Sequence, residues 1–306
     1  MRPPERRAEA GIRSVLGPNV ERPFDAPLRG VVLTVIGVLL MVGISACFKY
    51  LSPLYPPLEI VWARYFFSLL AIMLLFPRRV PKLFAAHHPK LLLLRGCSAV
   101  AATVLAIYAL RFISIADMVA ITFVAPLLTI ALASMVLGER ADIRVWIAVA
   151  VGFIGVLIIV RPGIGGVTQV AALLPMLMAL FYAFSQLIIR SISFLEHPAT
   201  TLAYQNGVGL ALMTVALPFV WTMPKSAFDV SILILAGLLG AGGHYCMVRA
   251  FERAATRVVA PFMYAELIWA MVVGLIVFGD IPDPWMVAGA AIVVASGLYV
   301  LYRERA

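Results

Sequence analysis

Charged side chains are scarce in this chain. Of its 306 residues, 13% are Asp, Glu, Lys or Arg, whereas 63% are hydrophobic and the mean hydropathy is +1.02. Soluble domains carry about 25% charged residues. The composition therefore excludes a soluble domain beside the apolar segments and predicts an integral membrane protein.

Cysteine and histidine are also few, with three and four copies. Cys47, Cys97 and Cys246 form no CxxC pair and have no neighbouring His pair, so they are interpreted as small packing residues. The sequence also lacks a Walker loop, an HExxH motif, an EF-hand loop and a Ser-His-Asp arrangement. These absences predict no metal site, no cofactor and no ATP-driven transport.

Long apolar runs fill the chain between residues 30 and 301. A helix rises about 1.5 Å per residue, so crossing a hydrocarbon core of about 30 Å takes roughly 20 apolar residues. Runs that are apolar on every side over that length exclude the alternating strands of an outer-membrane barrel. We predict an all-α integral membrane protein with ten transmembrane helices, at residues 30–51, 58–76, 91–112, 115–136, 143–160, 170–190, 200–221, 231–251, 258–278 and 285–301.

The positive charges predict how these helices face. Lys and Arg are retained on the cytoplasmic side during insertion. Most of the 24 Lys and Arg fall on one side when residues 1–29 are placed inside. Residues 1–29 are interpreted as a disordered cytosolic tail, and both termini as cytoplasmic. The formal charge of +9 then favours anionic membrane lipids as partners, and nucleic acid is not expected.

The second half of the chain repeats the first. A shift of 141 residues superposes Gly138 on Gly279 and Glu139 on Asp280. Two five-helix repeats are predicted, at residues 30–160 and 168–302. Because five is odd, each helix of the second repeat crosses in the opposite sense to its counterpart, which gives a 5+5 inverted-topology repeat. This architecture is typical of secondary transporters that work by alternating access, with a substrate site near the midplane.

Two pairs of segments resemble the signatures of EamA-type carriers in the drug/metabolite transporter superfamily: 121–129 with 137–140, and 264–270 with 278–280. Arg64 is similar to that family's arginine in the second span. One departure is Leu267, because the family often has a proline at this place in the ninth span. A kink there is therefore not implied.

The resemblance implies a secondary carrier of a small organic metabolite, such as an amino acid, in a bacterial inner membrane. Export is the implied direction, and uptake of a vitamin-like or nucleoside-like solute is the alternative. A membrane-embedded lipid or acyl enzyme is a different class, for which His244 and Glu266 form the one candidate dyad. Few intramembrane charges mark the fifth and tenth spans, so a homodimer through them is weighed against a monomer.

Charged side chains inside the spans are the first candidates for the substrate site. Each costs about 2.5 to 3.5 kcal/mol in the bilayer unless it faces a partner or a watery cavity. Glu266 in the ninth span and His244 in the eighth lie at similar depth, so adjacent helices would bring them together. They would contact the substrate or exchange a proton with it. The alternative is a buried pair that only orders two helices.

Two arginines also lie within the spans. Arg64 is too deep in the second span to reach water easily. It would clamp a substrate carboxylate or phosphate, cap backbone carbonyls, or pair with Glu266. Arg95, close to the inner end of the third span, is expected to extend to the interface.

Polar residues at helical spacing indicate which helix faces line a central cavity. Each one alone fits an interhelical hydrogen bond better than a substrate contact. Lys49 and Ser185, at opposite ends under the inverted repeat, are predicted as gate residues. The further candidates for substrate binding or coupling are Thr122, Thr129, Tyr182, Ser185, Gln186, Gln205 and Trp269.

Overall fold

The computed structural model describes residues 27–136, 143–161, 169–192, 196, 198–254 and 256–303. All the regular structure in these ranges is helical. Most of the predicted cytosolic tail lies outside the described residues, and so do the signature residues Gly138 and Glu139.

The described residues form twelve α-helices, numbered here in chain order. Two short 3₁₀ helices cover Pro77–Lys82 and Leu217–Phe219. The α-helices are α1 Pro27–Leu51, α2 Pro57–Leu75, α3 Pro89–Ala109, α4 Ile115–Thr122, α5 Ala125–Val136, α6 Ile143–Val160, α7 Gln169–Ile192, α8 Pro198–Ala216, α9 Ala227–Arg253, α10 Thr256–Met263, α11 Ala265–Phe278 and α12 Pro284–Arg303.

Six segments are long and apolar enough to cross a membrane. They are Leu28–Leu51, Pro57–Leu75, Pro89–Ala109, Ala199–Phe219, Ala227–Ala250 and Pro261–Phe278. Four shorter apolar helices occupy the other predicted spans, at Ile115–Thr129, Trp146–Val160, Leu173–Ile188 and Pro284–Val300. The predicted all-helical, membrane-embedded fold is therefore confirmed in kind, while the four shorter helices do not by themselves show a crossing.

Helix starts follow local sequence signals. Proline, which needs no backbone donor in the first turn, is the first residue of α2, α3, α8 and α12. Ser114 and Ser226 cap α4 and α9, because their hydroxyls accept hydrogen bonds from the backbone N–H groups of Asp117 (3.0 Å) and Asp229 (3.1 Å). These caps satisfy donors that would otherwise be unpaired at the helix ends.

Two predicted spans are each broken in the middle. The fourth divides into α4 and α5 at Phe123, and the ninth into α10 and α11 at Tyr264. At both places the backbone tightens: Val124 N–H donates to the Ile121 carbonyl (3.2 Å) and Leu267 N–H donates to the Tyr264 carbonyl (3.1 Å). These are i to i−3 bonds of the 3₁₀ type. The ninth span therefore bends three residues before Leu267, although Leu267 is not a proline.

The two breaks meet in the fold. The rings of Phe123 and Tyr264 contact each other, with 4.9 Å between their centroids. These residues are separated by the same 141 positions as the sequence duplication. Adding 141 to the bounds of α2 and α4 gives the bounds of α8 and α10. The two halves therefore share their helix boundaries as well as their sequence pattern.

Helices of the two halves also pack in matching pairs. Helix α1 packs along α9, and the corresponding helices α7 and α3 pack along each other. Helix α2 packs on α9, and its counterpart α8 packs on α3. Helices α2 and α6 each pack against their own counterparts, α8 and α12. The core of the bundle thus lies between the halves and not within either one.

The α6–α12 crossing depends on two glycines. A Cβ atom added at Gly155 would lie 2.8 Å from the Gly289 carbonyl oxygen, and one added at Gly289 would lie 2.5 Å from the Gly155 carbonyl oxygen. The opposing atoms belong to backbone, so neither helix can yield cheaply.

We expect Gly289→Ala to destabilise the purified protein by about 1 to 3 kcal/mol, because the added methyl group overpacks this crossing. The unfolding temperature in detergent measures the change. Gly274→Ala is the matched control, since a Cβ at Gly274 would meet no atom closer than 3.7 Å. Equal destabilisation by both substitutions would contradict a role for close packing at Gly289.

Candidate substrate cavity

Two arginines are buried in the bundle. Arg64 on α2 and Arg95 on α3 expose only 6% and 5% of their surface. The Arg64 guanidinium lies 4.6 Å from the centroid of the Tyr65 ring, and its Nε and Nη1 atoms have no hydrogen-bond partner among the described residues. Arg95 Nη1 donates to the Thr201 carbonyl (3.1 Å), while its Nε has no partner there. The prediction that Arg95 extends to the interface is wrong, because its side chain turns inward onto α8.

Tyr65 joins the helices around these arginines. Its hydroxyl lies 3.0 Å from Thr103 Oγ1 and 3.4 Å from the Ala99 carbonyl, both on α3. Its ring packs on Gly209 of α8 so closely that a Cβ there would lie 2.5 Å from a ring carbon. The small residue at position 209 therefore lets α8 approach α2.

His244 and Gln205 complete what we call the basic cluster: Arg64, Arg95, Gln205 and His244. The Nδ1 atom of His244 is 2.9 Å from the Gly240 carbonyl one turn earlier on α9, and the imidazole interacts electrostatically with both arginines. Gln205 on α8 exposes 7% of its surface, and its Oε1 has no hydrogen-bond partner among the described residues. The sequence analysis did not assign Arg95 to this group.

Glu266 lies apart from His244. It is half-buried in the first turn of α11, directly after the break in the ninth span. Helix α11 packs on α1 and α4, whereas α9 packs on α1 and α2. The described residues show no hydrogen bond or ion pair joining Glu266 to His244 or Arg64, so both predicted pairs are absent from this structure. Its electrostatic neighbour is Tyr182 on α7.

The remaining candidates divide into two groups. Thr122 and Thr129 donate to carbonyls one turn earlier on their own helices, at 2.7 and 2.9 Å, and Thr122 also contacts the Met178 sulfur at 3.8 Å. Ser185 is buried, Gln186 is half-buried, and Trp269 packs partly buried against the core. Tyr182 keeps 39% of its surface exposed. Of these, Tyr182 has the exposure expected of a residue lining a cavity.

An apolar cavity of about 380 Å³ lies elsewhere, between α6 and α12. Ile147, Val151, Ile292 and Tyr299 are among the residues that line it. A substrate site normally adds convergent polar groups to an apolar pocket. We therefore place the candidate site at the basic cluster and Tyr182, not in this apolar cavity.

One end of the bundle is closed by charged contacts. Lys49, at the end of α1, forms an ion pair with Asp280, in the turn after α11, and its ammonium lies 5.0 Å from the Phe278 ring centroid. Arg161 forms an ion pair with Asp283 between α6 and α12. The Arg161 charge and the Trp285 N–H, which donates to Asp283, hold the pKa of the Asp283 carboxyl below its usual value.

The same end carries a tyrosine contact. The Tyr55 hydroxyl donates to Asp229 Oδ2 (2.7 Å) and accepts a hydrogen bond from the Lys225 backbone N–H (2.7 Å). Arg111 Nη2 donates to the Tyr55 carbonyl at 3.1 Å. The segment between α1 and α2 is thereby fixed to the start of α9.

The predicted gate partner Ser185 has no contact of this kind. It is buried on α7, and the 141-residue shift carries Lys49 onto Arg190 instead. Among the described residues, no cluster of His, Cys, Asp and Glu has the arrangement needed to hold a metal ion.

Several characterised bacterial proteins are similar to this chain over most of its length. A riboflavin transporter of Rhizobium johnstonii is 28% identical, covering 88% of this chain and 92% of that protein. An S-adenosylmethionine uptake transporter of Rickettsia prowazekii is 23% identical, covering 84% and 87%. A pseudopaline exporter of Pseudomonas aeruginosa is 27% identical, covering 89% and 96%.

A solved crystal structure has the same fold. It superposes with a TM-score of 0.64 and covers 90% of this chain and 99% of its own, at 12% sequence identity. An identity this low supports likeness of fold alone.

The family comparison accounts for both halves of the chain. Residues 28–161 and again residues 169–302 match the EamA-like transporter family, and the two matches are offset by the same 141 residues. The prediction of a multi-pass membrane transporter and not an enzyme is confirmed by this match and by the named relatives. The chain belongs to the EamA-like transporter family.

Proposed function

We propose that this protein is a secondary active transporter of a small organic metabolite that works by alternating access. The observation that carries the proposal is the correspondence of the two halves: they share helix boundaries, pack in matching pairs and meet at Phe123 and Tyr264. Two such halves can exchange conformations, which exposes a central site first to one side of the membrane and then to the other.

The proposal includes ten spans in a 5+5 inverted repeat. Helices α4 with α5, and α10 with α11, each count as one broken span. The short apolar helices α6, α7 and α12 count as full spans, since mismatch of a few ångströms is absorbed by tilt or local thinning of the bilayer. The distribution of Lys and Arg favours cytoplasmic termini in a bacterial inner membrane.

The direction of transport has two candidates. The family resemblance and the relative named as a pseudopaline exporter favour export of an amino-acid-like metabolite. The relative named as an S-adenosylmethionine uptake transporter favours import, and the riboflavin transporter extends the candidates to vitamin-like solutes. We propose export, with uptake as the second candidate.

The Lys49–Asp280 contact is proposed to close the outer end of the site. The duplication carries Lys49 onto Arg190 and Asp280 onto Glu139, so both charges are kept at the opposite end of the sequence repeat. An exchange of conformations would break the first pair and bring the second together. Glu139 lies outside the described residues, so this second contact is proposed from the sequence alone.

Purified protein in liposomes should show saturable counterflow of at least one labelled probe from a panel of riboflavin, S-adenosylmethionine and the proteinogenic amino acids. Protein-free liposomes are the control. Absence of counterflow for every probe, in protein that still unfolds cooperatively, would contradict the proposed substrate range.

Breaking the Lys49–Asp280 contact should open the outer end. In a variant without native cysteines, Ser45→Cys places a reporter one turn from Lys49 on α1. We expect Lys49→Gln to increase its labelling by a membrane-impermeant maleimide, and the charge swap Lys49→Asp with Asp280→Lys to restore protection. Arg161→Gln, which breaks the neighbouring ion pair, is the matched control. Unchanged labelling in Lys49→Gln would contradict the closing role.

Glu266 is proposed to couple transport to protons. Tyr182 lies in its electrostatic range, while Lys49 on α1 and Asp117 on α4 are the charged groups on the helices that pack against α11. We expect Glu266→Gln to abolish the response of flux to an imposed pH gradient, because the amide cannot exchange a proton. Asp283→Asn is the control carboxyl outside the bundle. Transport with unchanged pH dependence in Glu266→Gln would remove this role.

A further inference from the structure

The basic cluster contains two buried positive charges that the described protein does not neutralise. The ion pairs of the described residues involve Lys49, Arg161 and His87, and none involves Arg64 or Arg95. Three guanidinium nitrogens of these two arginines have no hydrogen-bond partner there. Leaving buried donors unpaired is unfavourable by about 1 to 3 kcal/mol each, and more for charged groups.

The local contacts around the two arginines do not supply the missing negative charge. Arg64 contacts the face of the Tyr65 ring, and Arg95 donates once to the Thr201 carbonyl. A ring face and one backbone carbonyl offset only part of the desolvation of a guanidinium. His244, close to both arginines, can add positive charge and cannot remove it.

Neutral groups of the cluster point to a ligand that accepts and donates hydrogen bonds. Gln205 presents an unpaired Oε1 one turn along α8 from Thr201. The duplication carries Arg64 onto Gln205, so the same position of the two halves supplies a cation from one side and an amide from the other. Helices α2 and α8 pack together, which keeps these positions at the centre of the bundle.

We propose that Arg64 and Arg95 bind an anionic group of the substrate, a carboxylate or a phosphate, with Gln205 contacting a neighbouring polar group. Guanidinium forks match the planar or trigonal oxygens of these anions and bind them with charge-assisted hydrogen bonds. The assignment of the word "substrate" rests on the proposed transport function, but the binding site does not.

Binding in detergent tests the site without any transport. The probes are succinate, citrate, inorganic phosphate and glycerol 3-phosphate, with the neutral analogues succinamide and glycerol and with sodium chloride at matched ionic strength. A ligand of the folded state raises the unfolding temperature in a saturable way. We expect at least one anion, carboxylate or phosphate, to do so below about 10 mM, which is above most Michaelis constants, while the neutral analogues and chloride do not.

Arginine variants assign the effect. Arg64→Gln and Arg95→Gln should each weaken the apparent affinity for the stabilising anion by about tenfold or more. Arg29→Gln, at the exposed start of α1, is the matched control and should leave the affinity unchanged. Retained affinity in both cluster variants, equal stabilisation by a neutral analogue, or no saturable stabilisation by any of the four anions would overturn the proposal.

The stability of the ligand-free protein separates a binding role from a structural one. Removing an uncompensated buried charge stabilises a folded protein, whereas removing a charge that holds helices together destabilises it. We therefore expect Arg64→Met to raise the unfolding temperature without ligand and to abolish the rise caused by the anion. A lowered temperature would show that Arg64 is structural. Anion binding without any flux in liposomes would contradict the transport proposal and leave this site standing.

Discussion

The cost of placing charge inside a bilayer is the constraint on which the rest of this structure depends. With no water in the hydrocarbon core, backbone groups must be satisfied within each segment, which explains why the described regular structure is helical. Ionised side chains must be paired or moved to the ends of the helices. Lys49 with Asp280, and Arg161 with Asp283, follow this rule at one end of the bundle. Arg64 and Arg95 are the departures from it.

The duplication is the second constraint, because it places equivalent features where they meet. Both broken spans tighten at the same position of the repeat, and their rings at Phe123 and Tyr264 touch. The two halves cannot slide freely past each other, since α6 and α12 cross at backbone contact through Gly155 and Gly289. The fold therefore combines a fixed contact between α6 and α12 with a centre built from interrupted helices, which are easier to bend than continuous ones.

Much of the fold could be predicted from the sequence, because apolar length and proline position decide where helices lie. The boundaries of α2 and α8 fall at prolines that the repeat predicts. The side-chain contacts of the site could not be predicted in the same way. Depth along a span says nothing about which neighbour a helix faces, so Glu266 and His244 were expected together but lie on helices that pack on different partners. Arg95 lies near a helix end and turns inward, because α8 offers the Thr201 carbonyl there.

The positions at which the two halves differ are as informative as those at which they agree. The charged pair at the ends is kept by the shift, since Lys49 corresponds to Arg190 and Asp280 to Glu139. At the centre the shift replaces Arg64 by Gln205, Arg95 by Ala236 and Glu266 by Ala125. Alternating closure needs the same device at both ends, whereas a bound solute is asymmetric and needs different groups around it. Relatives of this fold bear the names of different solutes, so the divergent central residues, and not the shared packing, are where substrate choice is expected to be made.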